Sequence, residues 1–410
     1  AELLRLLPRS PAEVLGTDRR KKAAPLTSHC GHLSACAVGA ALLARLAAKR
    51  RRHGPARRAV VRHSLLGCEG GSGRGDEDLL SGPFRFGSMV LRSRLLLAPL
   101  ESVSDCAYRR LCHQQGAGFT WTEMVRADAL ARRNKSTYGL IDTFDPLTPT
   151  GVQLLASKPK QLRAALCHLD ALAAEGCPHW ARGIQGVDLN FGCPSPDVIG
   201  HGAGPAMLKR SARLGELFDT LAEWRAGTAL PVGAIGAKIR LGLNGIDERE
   251  GVFLSVVELA KGRLDYITLH ARHGKDESTV PARWGCIRAA KSAAGDALLI
   301  LGNGDVFSQA DAAEMRRKTG CDGVVVARGA IRTAGLIFDA AWRGDERTLA
   351  ADAASLAGRY EELRLRFAAR EKRYMQASRP RPKYAKYHSE AFRRIRERVL
   401  TSAGMGTMSG

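Results

Sequence analysis

From Arg94 onward the sequence alternates short apolar runs with longer segments of helical composition, and this rhythm constrains the fold more than any other feature. Eight runs are present: Leu95 to Pro99, Phe119 to Val125, Gly151 to Ala156, Gly186 to Cys193, Gly236 to Leu241, Asp265 to His270, Ala297 to Asn303 and Gly323 to Gly329. Alternation of this kind builds successive β-α units around a parallel sheet. Starts about 30 residues apart, over about 250 residues in all, predict a TIM (β/α)8 barrel. A doubly wound sheet is the competing arrangement. Against it, no G-x-G-x-x-G turn follows the first run, where a Rossmann fold needs its phosphate loop.

The barrel is expected over residues 83–345. Before it, residues 1–82 hold basic clusters at Arg19 to Lys22 and Lys49 to Arg52 and a glycine-rich stretch from Gly67 to Gly75, without a strand rhythm. This segment reads as a disordered, targeting or nonspecific RNA-binding extension. The sequence begins at Ala1 and not at Met, which weakens a transit-peptide reading of its Arg/Ala-rich character. Cytoplasmic location is the expectation, with organelle targeting by the extension as the other reading. After the barrel, residues 346–410 are expected to be a helical, RNA-binding region. Helices are predicted over Ala351 to Lys372 and Ser389 to Leu400, separated by the proline-bearing linker Arg379 to Lys383. From Arg370 to Leu400, 11 Lys/Arg stand against 3 Asp/Glu, a density that suits a phosphate backbone as well as a solvated helix.

Net charge points the same way. A formal charge of +22 favours a polyanionic partner, because each cation set against a phosphate releases a counterion. No apolar run approaches the roughly 18 residues of a membrane span, the longest extending only from Ala35 to Ala44. Ten cysteines lack the C-x-x-C pairs that zinc sites usually show, so a reducing compartment and no metal are expected. Nothing in the sequence indicates an oligomer, and a monomer is the default.

In such barrels the reactive groups stand at the C-terminal strand ends. Here every end is polar. The first reaches Ala98-Pro-Leu-Glu101, the second Thr122-Glu-Met124, the third Gln153, and the fourth Asn190-Phe-Gly-Cys-Pro-Ser195. The fifth carries Lys238 and Arg240, the sixth His270 and Arg272, the seventh Gly302-Asn-Gly-Asp305 and the eighth Ala327-Arg-Gly-Ala330. A single buried Gln or His is ordinarily a satisfied core group. Eight polar ends in register are a site. Gly304 and Gly329, with Arg328, mark the ends of strands seven and eight as a phosphate site, where backbone N–H groups and a guanidinium meet an anion; tight turns are the competing role for these glycines.

The motifs Leu97-Ala-Pro-Leu-Glu101, Val187-Asp-Leu-Asn-Phe-Gly-Cys-Pro-Ser195, Ala237-Lys-Ile-Arg-Leu-Gly242, Leu269-His-Ala-Arg272, Gly302-Asn-Gly-Asp305 and Ala327-Arg-Gly-Ala330 occur in one order. In that order the chain resembles the flavin-dependent tRNA-dihydrouridine synthase family from about Phe84 to Trp342. The resemblance implies an oxidoreductase that binds FMN, takes electrons from NADPH or NADH, and reduces the C5=C6 bond of a tRNA uridine, with a D-loop position expected. It further implies that Pro99, Leu100 and Glu101 line the flavin, that Gln153 and Lys238 contact its ring, and that Asn303, Gly304, Asp305, Ala327 and Arg328 hold its phosphate end. His270 would lie beside flavin or substrate, Asn190 and Arg272 would meet the substrate, and Cys193 would be the acid. Leu100, Ala327, His273 and the turn Gly202-Ala-Gly-Pro-Ala206 depart from the usual family pattern; Pro205 fits if it opens the next helix.

The chemistry agrees with those residue types. Hydride addition at C6 leaves negative charge that must be quenched by a proton at C5, and an ordinary thiol, protonated at neutral pH, suits that task better than it suits nucleophilic attack. Two other readings remain at this level: a dihydroorotate dehydrogenase-like FMN barrel, and an inactive tRNA-binding barrel.

Overall fold

The computed structural model describes residues 77–366, apart from 102, 142, 144, 146, 175–182, 334, 343–354, 357 and 364. Eight parallel strands close into a barrel: β3 (Leu95–Leu97), β4 (Thr120–Arg126), β5 (Thr150–Leu155), β6 (Ile184–Phe191), β7 (Ala234–Arg240), β8 (Tyr266–His270), β9 (Leu299–Asn303) and β10 (Gly323–Val326). Each falls within or against one of the eight apolar runs. The ring is completed by β10 pairing with β3 on one side and β9 on the other. This is the TIM-type arrangement, with helices such as Pro159–Ala174, Ser211–Gly227 and Gln309–Thr319 between strands. Among the described residues no helix is long and apolar enough to cross a membrane, and no group of His, Cys, Asp and Glu is arranged to hold a metal.

Alternation along the strands separates two environments. On β6, Val187, Leu189 and Phe191 are fully buried in the outer core beneath the helices, while Gly186, Asp188 and Asn190 lie on the other face of the strand. Helix ends are fixed locally. Asp105 caps Cys106–Gln115 by accepting from Tyr108 N at 2.7 Å, and Ser308 with Asp311 forms a capping box on Gln309–Thr319, which ends at Gly320 in the left-handed region.

One element was not foreseen. The segment before the barrel is helical at Glu77–Leu80 and then forms an antiparallel hairpin, β1 (Ser81–Phe86) with β2 (Met89–Ser93), so described structure begins ahead of the boundary expected at 82. The hairpin closes the N-terminal end of the barrel. Ser88 N donates to Gly233 O at 2.8 Å, and Phe86 lies 4.7 Å from the Tyr266 ring and 5.2 Å from Phe119, centroid to centroid. With Trp121, Leu96, Leu301 and Val325 these rings form a dry layer across the barrel axis.

At the other end of the chain, the described residues between 355 and 366 are helical, as expected within Ala351 to Lys372. Leu356, Tyr360 and Leu363 are buried, and the Tyr360 hydroxyl donates to Asp105 Oδ2 at 2.6 Å. This turn of helix therefore packs on the barrel through the cap of its first helix. The remainder of the N-terminal extension, the Arg379–Lys383 linker, the helix at Ser389 to Leu400 and the basic segment from Arg370 lie outside the described residues.

Because Phe86 has no exposure and fills the aromatic layer, Phe86→Ala should lower stability by about 3–5 kcal/mol. Denaturant midpoints of parent and variant read this directly. An unchanged midpoint would mean that the hairpin does not plug the barrel.

Candidate active site

Strand register assembles the polar ends into rows. Gln153 lies beside Asp188, Asn190 beside Lys238, Arg240 beside His270, and His270 beside Asn303. A continuous chain of hydrogen bonds joins the first of these. Gln153 Nε2 donates to Asp188 Oδ2 at 2.6 Å, Asn190 Nδ2 donates to Gln153 Oε1 at 2.7 Å, and Asn190 Oδ1 accepts from Gly192 N and Cys193 N, both at 3.0 Å. The Cys193 side chain is half-buried against Leu155, Val198 and Ala203. Gly204, at φ +60°, packs on its carbonyl: a Cβ there would stand 2.7 Å from Cys193 O. Pro205 opens the 3₁₀ turn Gly204–Met207, which accounts for the unusual glycine turn.

Arg240 braces the same loop from β7, donating from Nε to Gly192 O at 2.8 Å and from Nη1 to His273 O at 3.0 Å. Lys238 differs from every cation around it. It is half-buried, and no hydrogen bond or ion pair is made by its ammonium among the described residues. Burial and the neighbouring Arg240 bring its pKa down to about 8, with Asp188 and Cys193 pulling the other way. Burial also lowers His270 well below the usual histidine value, helped by Lys238, Arg240, Arg272 and Arg328, so this imidazole is neutral. Arg272 Nη1 approaches His270 Nε2 at 3.3 Å, and a guanidinium can only donate; the His270 proton therefore sits on Nδ1.

Arg272 and Asp305, both expected at the site, pair with each other. Arg272, expected at the substrate, is 2% exposed and spends its guanidinium on both oxygens of Asp305, at 2.7 and 2.8 Å, and on Ser278 O and Val280 O. Asp305 also accepts from Arg328 Nη2 at 2.9 Å and Ala282 N at 2.7 Å. Burial alone would raise this carboxyl, but Arg272 and its other donors hold it below the ordinary value. Its side chain thus organises two arginines. Asn303 Nδ2 donates to Val325 O at 2.6 Å, and Gly304, at φ +122°, donates no side chain to a crowded point where a Cβ would meet Ala282 Cβ at 2.8 Å. Gly329 serves packing, since a Cβ there would strike Val306 O at 2.3 Å. Arg328 remains half-exposed over the Phe307 ring, 5.4 Å from its centroid, beside Ala327. Leu100 and Ala327 both flank the inner apolar layer, with Pro99 half-buried next to it, whereas Glu101 is exposed and makes no hydrogen bond or ion pair among the described residues.

Asp188 and Tyr266 were missed. Asp188 is 1% exposed, and burial raises its pKa to about 7 against the pull of the Gln153 amide, the Tyr266 hydroxyl and the Lys238 charge. Tyr266 reaches it across Gly236, where a Cβ would lie 2.4 Å from the ring, and accepts from Trp121 Nε1 at 3.1 Å. The available signal was spacing: an Asp two residues before Asn190 on a strand must share its face.

The raised pKa of Asp188 has a defined sign in stability. Between the ordinary value of 3.8 and about 7 the folded chain holds the extra proton, so this group's stabilising contribution is full below 3.8 and is lost as pH rises through 7. Asp188→Asn should therefore flatten the fall in stability between pH 5 and pH 8 relative to the parent. Urea midpoints across that range test it; parallel curves for the two proteins would show that Asp188 does not titrate there.

The matching family model, dihydrouridine synthase, covers residues 96–405. Among curated relatives, a probable tRNA-dihydrouridine synthase of Aquifex aeolicus is 33% identical over 58% of this chain and 70% of its own length. A tRNA-dihydrouridine synthase B of Pseudomonas aeruginosa is 32% identical over 60% and 68%. A tRNA-dihydrouridine(47) synthase [NAD(P)(+)] of Cryptococcus neoformans is 32% identical over 57% of this chain but only 32% of that protein. With strand ends, register and family model in agreement, the chain belongs to the dihydrouridine synthase family.

Proposed function

We propose that this protein is a flavin-dependent tRNA-dihydrouridine synthase, reducing the C5=C6 bond of a tRNA uridine with FMN as cofactor and NADPH or NADH as reductant. The observation that carries the reading is Lys238: a half-buried cation whose ammonium makes no hydrogen bond or ion pair among the described residues, next in register to Asn190, whose amide anchors the Cys193 loop. Such a charge needs an electron-rich partner, and a flavin ring at the barrel mouth is one. The residues fit the group in other respects. Leu100 and Pro99 offer an apolar wall, Gln153 a buried amide, and Arg328 with the backbone of Asn303, Gly304, Asp305 and Ala327 a place for the phosphate, with Asp305 and Arg272 aligning Arg328 from behind. When bound, the flavin supplies hydride to C6 of the uracil ring.

The chain's own residues do the rest. Cys193 gives the proton that C5 requires, from a loop fixed by Asn190 and Arg240. Neutral His270 offers its Nδ1–H to a carbonyl without adding a second buried charge. Arg272 acts on substrate only through His270 and Asp305. For the tRNA itself, the net charge of +22 matches a polyanion, and drawing a stacked base into the barrel costs a few kcal/mol that backbone contacts must offset.

The purified protein should be yellow and release FMN on denaturation. Cys193→Ala should keep FMN and tRNA and still let NADPH reduce the flavin, while tRNA-dependent reoxidation falls about 10²- to 10⁴-fold. Stopped-flow absorbance separates the two half-reactions. Reoxidation at the parental rate would make Cys193 a structural thiol.

A further inference from the structure

The hydrogen-bond chain between Asp188 and Cys193 has only one direction in which every link is satisfied. A primary amide has nearly isosteric donor and acceptor ends, so an isolated Gln or Asn can turn over at little steric cost. Gln153 and Asn190 are held at both ends of their chain. At one end stands Asp188, whose Oδ2 accepts whether or not the other oxygen carries the proton; at the other stand the Gly192 and Cys193 N–H groups, which can only donate. Gln153 must therefore present Nε2 to Asp188 and Oε1 to Asn190, and Asn190 must present Oδ1 to the loop. Exposures of 1% for Gln153, 1% for Asp188 and 8% for Asn190 leave no water-facing way for these side chains to escape the sequence.

Asp188 is also a costly residue to keep. It lies next to the aromatic layer, where an apolar side chain would be easier to bury. The groups facing it are Gln153 from β5, Lys238 from β7 and Tyr266 from β8, and it is the terminal acceptor for Gln153 among them.

We propose that Asp188 is a positioning residue for the reaction: by fixing the direction of the Gln153 and Asn190 amides, it holds the Gly192–Cys193 backbone, and with it the proton-donating thiol, in one orientation. The proposal rests on the reading of Cys193 as donor. Asp188 touches no reacting atom; it acts through two amides and a loop.

The test uses the full chain loaded with FMN and compares Asp188→Leu, which has no acceptor, with Asp188→Asn, which retains a carbonyl. In Asp188→Leu, site-resolved alkylation of Cys193 by iodoacetamide should quicken about tenfold, the equivalent of one net hydrogen bond in the loop. Flavin reoxidation by tRNA should slow about 10²-fold while flavin reduction by NADPH stays within about twofold. Asp188→Asn should restore both readouts toward the parent. Should Asp188→Leu fail to fold, Gln153→Met cuts the same chain one link later and should give the same alkylation change. Parental alkylation in a folded, flavin-loaded Asp188→Leu or Gln153→Met protein would overturn the proposal, as would failure of Asn to rescue. Because alkylation needs no substrate, a parent that left tRNA unreduced would sink the synthase reading alone and leave this measurement intact.

Discussion

A carboxylate buried in the interior of a barrel is the constraint around which the site is organised. Asp188 stands at the level where the aromatic layer of Phe86, Phe119, Trp121 and Tyr266 gives way to side chains that can hydrogen-bond. Below it the interior is dry; above it lie Gln153, Asn190, Lys238, Arg240 and His270. Burial strips the carboxylate of water, and only amide, hydroxyl and distant ammonium offset that loss. The hairpin and the site are therefore connected: by closing the N-terminal end, the hairpin makes the medium in which the polar layer has its strength.

Above Asp188 the cations are not equivalent. Arg240, Arg272 and Arg328 each have a fixed oxygen partner, and they build the frame. Lys238 has none. Burial, with Arg240 beside it, brings its pKa down to about 8, and in the proposed reading the flavin ring completes its electrostatics. Neutral His270 follows from its burial, helped by the four cations around it.

The barrel was legible because its strands are buried on both faces and so read as short apolar runs at regular spacing. The hairpin was not. Gly82, at φ +94°, and Pro83 interrupt its first strand, and its buried residues alternate with the outward Arg85 and Arg92, so it lacks the run of apolar residues that betrays a barrel strand. At the site, the polar strand ends Gln153, Asn190, Lys238 and His270 stand on neighbouring strands of the barrel. What spacing does not carry is how each polar atom is used. The Asp305 carboxylate clamps two arginines, a Cβ at Gly329 would strike Val306 O, and the Arg272 guanidinium is buried. Those assignments depend on contacts between loops far apart in sequence, which neither motif nor periodicity records.

The claim that unites these features is that the polar mouth of this barrel reduces uridine in tRNA. The direct measurement is mass spectrometry of an unmodified tRNA transcript incubated with the FMN-loaded protein and NADPH under anaerobic conditions, with oligonucleotide mapping of the product. The account predicts a two-hydrogen mass gain confined to one uridine, dependent on both flavin and reductant. A transcript that is bound but unchanged in mass, while the same protein reduces a free pyrimidine, would contradict it and assign the barrel to small-molecule chemistry.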